Sequence, residues 1–116
     1  MYRHVLALVV GIAVVCLTGT AAHAGDSDNG KSIYLQRCAF CHGVYGKGDG
    51  PGGAALKPRP SDLTSPELWQ RMTLTQMREA IADGKPRTAM VAFKGSLTPA
   101  QIDDVLTFLT TFRTRP

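Results

Sequence analysis

Cys38-Ala39-Phe40-Cys41-His42 constrains this chain more than any other stretch. Two cysteines three positions apart lie on one side of a helical turn. From there both thiols can bond the vinyl groups of one porphyrin as thioethers. The histidine follows directly, so tethering the sulfurs delivers its imidazole to one axial side of the iron. The motif predicts a covalently attached haem c, with Cys38 and Cys41 as the thioether residues and His42 as an iron ligand. Two other chemistries use a C-x-x-C pair. A four-ligand zinc site needs a second Cys/His pair, and none follows His42. A dithiol redox pair belongs in a strand–helix–strand setting, and no strand-like run precedes Cys38.

Upstream of the motif the chain reads as an address. Arg3 and His4 make a short basic start, Val5 to Thr18 is an almost unbroken apolar run, and Ala22-His23-Ala24 offers the small residues a signal peptidase reads. The expectation is a secretory signal peptide, residues 1–24, cut after Ala24, with the remaining chain exported to the periplasm. The alternative is an uncleaved anchor, since Val5 to Ala22 reaches the lower limit for a membrane span. Membrane attachment is expected only in that case. Cys16 follows Val15, where a lipoprotein site would want a small residue, and is read as filler.

Gly25 to Pro116 is then one small domain. A domain this short buries a limited apolar core and often needs a staple, which a covalent haem would supply. Arg3 is the one Lys or Arg ahead of Gly25, so the domain keeps twelve such residues against nine Asp and Glu, a formal charge of +3. The basic residues are scattered, which predicts solvated surface and no nucleic-acid partner. Cys38 and Cys41 are its two cysteines, and a haem would use both, leaving none for a disulfide.

Residues 29–37 read as a first helix, capped by Asp28 or Asn29, with Gly30 and Tyr34 on one face. A glycine there costs about 1 kcal/mol against alanine, which makes sense if another helix approaches closely. Gly43 to Asp62 carries six glycines up to Gly53, together with Pro51, Pro58 and Pro60, and reads as a long loop along the haem edge. Its Gly46-Lys47-Gly48-Asp49-Gly50 run lacks the spacing and the preceding strand of a phosphate loop. A carbonyl of Pro58 or Pro60 can accept the Nδ1–H of His42 and set its tautomer. Lys57 and Arg59 can pair with a propionate. Pro58, Arg59, Pro60 and Trp69 are the candidate haem contacts. Ser65-Pro66-Glu67 starts a short helix through Trp69 to about Arg71. Thr73-x-x-Gln76 has capping-box spacing and starts a helix that buries Leu74, Met77 and Ile81 and stops at Gly84. Thr98-Pro99-Ala100-Gln101 starts the last helix, whose apolar stripe is Ile102, Val105, Leu106, Leu109 and Phe112.

Between the last two helices, Lys85 to Phe93 holds Met90. A loop methionine can turn its soft sulfur toward a metal. Met77 lies on an apolar helical face and suits a core, and Met72 lies in a short turn and suits core or haem wall. Met90 is therefore the first choice for a second axial ligand, with Met72, Met77 and an open position behind it.

The quoted residues resemble a bacterial class I c-type cytochrome over essentially the whole domain. The resemblance rests on Cys38 to Gly43, the Gly46 to Gly50 loop, Pro60-Ser61-Asp62-Leu63, and Met90-Val91-Ala92-Phe93-Lys94-Gly95 ahead of the last helix. It implies an all-α cytochrome c fold of three main helices, one short helix and a long Gly/Pro-rich loop. In that fold the first and last helices cross, here at Gly30 and Tyr34 against Val105 and Phe108. Val91 stands where many relatives have proline, which implies a less rigid ligand loop, and Phe108 stands where tyrosine is common. A His42/Met90 pair implies a one-electron carrier and not an enzyme. Its redox partner proteins would be a periplasmic dehydrogenase, a membrane cytochrome complex or a terminal oxidase. The alternative is a haem protein whose displaceable methionine lets it bind a small gas or turn over peroxide.

Overall fold

Asp26 opens the first helix, α1 (Ser27–Arg37), by accepting the N–H groups of Asp28 and Asn29 on its carboxylate. This is a correction to the expected cap at Asp28 or Asn29. The computed structural model describes residues 25–114, so the expected signal peptide, residues 1–24, lies outside the described residues. Four helices follow: α2 (Ala39–His42), α3 (Pro66–Arg71), α4 (Leu74–Asp83) and α5 (Pro99–Arg113). The architecture is all-α. α1, α4 and α5 are the main helices, α3 is the expected short one, and α2 is one further turn built from the cysteine motif itself.

The helix starts follow local chemistry. Ser65 caps α3 with Pro66 in its first turn, and Thr73 and Thr98 each close a reciprocal capping box, with Gln76 and Gln101 respectively. Gly84 ends α4 with φ of 72°, a left-handed value that favours glycine.

α1 and α5 form the principal packing. A Cβ on Gly30 would lie 2.5 Å from the Asp104 carbonyl carbon and 3.0 Å from the Val105 nitrogen, so the two backbones touch there. Below that crossing Tyr34, Phe108 and Phe112 pack with centroid separations of 5.2–5.4 Å, in tilted and edge-on geometry. Tyr34 and Phe112 are fully buried. Asp104 ties the start of α1 to α5: it accepts the Asp26 backbone N–H at 2.7 Å and the Asn29 side-chain amide at 2.7 Å. α4 packs on α5 as well, and its Arg78 pairs with Asp103 at 2.6 Å. No helix among the described residues is long and apolar enough to cross a membrane.

Candidate functional site

The Cys38–His42 stretch is a single helical turn. The Cys38 N–H donates to Tyr34 O at 2.8 Å, and the N–H groups of His42 and Gly43 return to Cys38 O and Ala39 O at 2.9 and 2.8 Å. Such a short helix leaves its C-terminal carbonyls without intrahelical partners. The glycine loop satisfies them. Gly48, Gly50 and Gly52 donate in turn to the carbonyls of His42, Cys41 and Phe40, at 2.8, 3.1 and 2.8 Å. The loop expected along a haem edge therefore first folds back over the motif. Tyr34 adds a buried brace, its phenol donating to Gly43 O at 2.6 Å. Desolvation is the main cause that raises the Tyr34 phenol well above its ordinary value.

His42 is half-buried, and its Nδ1 lies 3.1 Å from the carbonyl oxygen of Ser61. The sequence pointed one or three residues earlier, to Pro60 or Pro58; the accepting carbonyl belongs to Ser61 instead. With the proton on Nδ1, the lone pair of Nε2 is left free for a metal. Burial lowers the affinity of the imidazole for a second proton, and the Ser61 bond opposes that only in part. Neutral imidazole is the form that binds iron.

Cys38, Cys41, His42 and Met90 line one cavity of about 320 Å³. Leu68, Met77, Ile81, Val105 and Leu109 supply apolar wall from three helices. Pro58, Arg59 and Pro60 line it too, and Arg37, Arg59 and Lys85 are its cationic members. No carboxylate is among the lining residues. Met72 and Met77 share the cavity with Met90, and Met77 is buried, as its helical position predicted. Trp69 does not line the cavity: its indole N–H donates to Leu63 O at 2.8 Å, and the ring packs against the core. Lys57 does not line it either.

Cys38 and Cys41 form no disulfide, and burial pushes the Cys38 thiol up to about 11. Among the described residues no group of three or more His, Cys, Asp and Glu side chains could by itself hold a metal ion. The donors present suit a metal that arrives inside its own macrocycle: two sulfurs to tether, one imidazole, three methionine sulfurs, an apolar wall and cations with no carboxylate among the lining residues.

The loop bearing Met90 is tied on both sides of Val91, which is itself exposed. Lys85 N–H donates to Met90 O at 3.2 Å, and the N–H groups of Phe93 and Lys94 donate to Ile81 O and Ala82 O at 3.0 and 3.1 Å. Those bonds hold the segment on either side of Val91. The phenol brace from Tyr34 and the glycine ladder escaped the sequence reading, because each joins groups whose proximity only the folded loop creates.

A family model described as Cytochrome c matches residues 27–113. The chain is 35% identical over 101 residues to a dihydro-heme d1 dehydrogenase of Pseudomonas aeruginosa, a match that covers 87% of this chain and 18% of that protein. It is 36% identical over 88 residues to a cytochrome c6 of Gloeothece citriformis, covering 76% of this chain and 73% of the other. Among solved structures it is similar to the KustC0563 c-type cytochrome, with a TM-score of 0.61 and 29% identity, over 73% of this chain and 98% of that one.

Proposed function

The chain belongs to the cytochrome c family, whose members carry covalently attached haem c, and on that premise we propose that Cys38 and Cys41 hold the haem while His42 and Met90 bind its iron. The protein is a haem-based electron carrier that works with redox partner proteins. Bound haem supplies one iron that gains and loses a single electron. The chain's own residues decide how that iron behaves. His42, oriented by Ser61 O, would hold the iron through Nε2. Met90 would hold it through a soft sulfur, a donor that would favour ferrous iron and raise the potential. With protein side chains as both ligands, the role would be carriage and not catalysis. The observation that carries this reading is the shared cavity of all four side chains.

Arg37, Arg59 and Lys85 are the groups suited to pair with the two propionates. Export follows from the sequence of the first 24 residues: the domain from Gly25 to Pro116 works in the periplasm after cleavage behind Ala24. There its partners are a dehydrogenase, a membrane cytochrome complex or a terminal oxidase. The dehydrogenase relative shares 18% of its own length with this chain. That likeness supports a common electron-carrying module and gives no ground for the same reaction.

The test is Met90→Ala in the haem-loaded protein. The weak far-red charge-transfer band of methionine-bound ferric haem should vanish and the reduction potential should fall. A band that persists in Met90→Ala would transfer the ligand role to Met72 or Met77.

A further inference from the structure

Met90 sits at the end of a tight reversal. α4 stops at Gly84, and a Cβ there would lie 2.7 Å from Met90 O. The chain turns back through Lys85-Pro86-Arg87-Thr88, with Arg87 at φ of 59°, a left-handed value no other described non-glycine residue adopts. Two backbone bonds, Thr88 N–H to Lys85 O and Lys85 N–H to Met90 O, hold the reversal at 3.2 Å each. One side chain completes it. The Thr88 hydroxyl donates to Lys85 O at 2.8 Å and accepts the Met90 backbone N–H at 3.2 Å. The Met90 main chain is thus fixed at both its polar groups, its oxygen by Lys85 and its nitrogen by Thr88.

A methionine side chain has three rotatable bonds and little shape of its own. Where its sulfur can dwell depends on where its backbone is held. We infer that Thr88 is a positioning residue for Met90, its hydroxyl holding the Met90 backbone so that the sulfur stays within the cavity that both residues line. This rests on the reading of Met90 as the iron ligand. Thr88 is half-buried on a surface reversal, and the hydrophobic core does not include it. Loss of its hydroxyl should therefore be felt at the sulfur before it is felt in global unfolding.

The experiment is an imidazole titration of the ferric, haem-loaded protein, following loss of the far-red methionine band. Wild type, Thr88→Val and Thr88→Ser are compared, with Thr88→Ala replacing Thr88→Val if the latter does not accumulate. Thr88→Val keeps the shape and removes both bonds. It should bind imidazole about three- to tenfold more tightly, the range that one or two ordinary hydrogen bonds give. Thr88→Ser keeps the hydroxyl and should stay within about twofold of wild type. Thr88→Val should also show a lowered reduction potential with an unchanged denaturant midpoint. A wild-type imidazole affinity in Thr88→Val, with the band intact, overturns the role of Thr88 and leaves Met90 standing. A wild-type protein with no such band overturns Met90 and this inference with it.

Discussion

Gly30→Ala tests the closest contact in the molecule. On an isolated helix this change stabilises by up to about 1 kcal/mol. Here the new methyl would point at backbone atoms: it meets the Asp104 carbonyl oxygen head-on, the carbonyl carbon at 2.5 Å and the Val105 nitrogen at 3.0 Å. No rotamer change relieves a clash with main chain, so α1 and α5 must move apart. That loosens the tilted and edge-on rings of Tyr34, Phe108 and Phe112 and stretches the Asp104 bonds to Asp26 and Asn29. Overpacking of this kind costs about 3 kcal/mol. Set against the helix gain, the net is about 2 kcal/mol destabilising, or roughly 8–16 °C in Tm for a domain of this size. Thermal melts of the haem-loaded wild type and Gly30→Ala, followed by far-UV circular dichroism, measure it. A Tm that is unchanged or higher in Gly30→Ala refutes the close-approach argument, because propensity alone would then have decided the sign.

Tyr34→Phe keeps the aromatic cluster but removes one of two donors to the Gly43 carbonyl, the Gly46 N–H remaining at 3.1 Å, which should cost about 0.5–1.5 kcal/mol in a chemical denaturation curve. Because folding raises the Tyr34 phenol above 10.0, its contribution is complete below that pH and declines as the unfolded chain ionises above it. Wild-type stability should therefore fall more steeply above pH 10 than that of Tyr34→Phe, and parallel pH profiles would count against the buried phenol. Thr98→Ala opens the capping box of α5 and should lower stability by about 1 kcal/mol, with Thr98→Ser restoring most of it.

Much of this fold can be read from short-range signals. Ser65, Thr73 and Thr98 cap their helices through residues two to three positions away, so the pattern contains both partners. Gly84 stops its helix for an equally local reason. What could not be read depends on distant partners. Asp26 caps α1 in place of Asp28 or Asn29 while Asp104, on the far helix, engages its N–H and the Asn29 side chain. The carbonyls of Pro58, Pro60 and Ser61, within four consecutive residues, are equivalent acceptors on paper, and the course of the glycine loop decides for Ser61. Trp69 offered a large flat ring that suits a haem wall, but it is not among the cavity-lining residues, and its N–H goes to Leu63 O. Cys38, Cys41, His42 and Met90 could be proposed from sequence because haem attachment and ligation call for sulfur and imidazole, and the structure brings the four to one cavity. Thr88 was not, since a hydroxyl between two backbone groups leaves no trace in spacing.

The crossing of α1 with α5 joins the first and last helices of the described chain. Such a contact closes a long loop, and that entropic cost must be met for the pair to form. The cysteine motif, by contrast, lies directly after α1, and the walls contributed by Val105 and Leu109 arrive with α5. A chain emerging from its N-terminus thus presents both thiols before the element that will cover them exists. Until α5 docks, the motif stays open on the side that Val105 and Leu109 will wall, so a bulky group can reach it before the last helix closes the cavity.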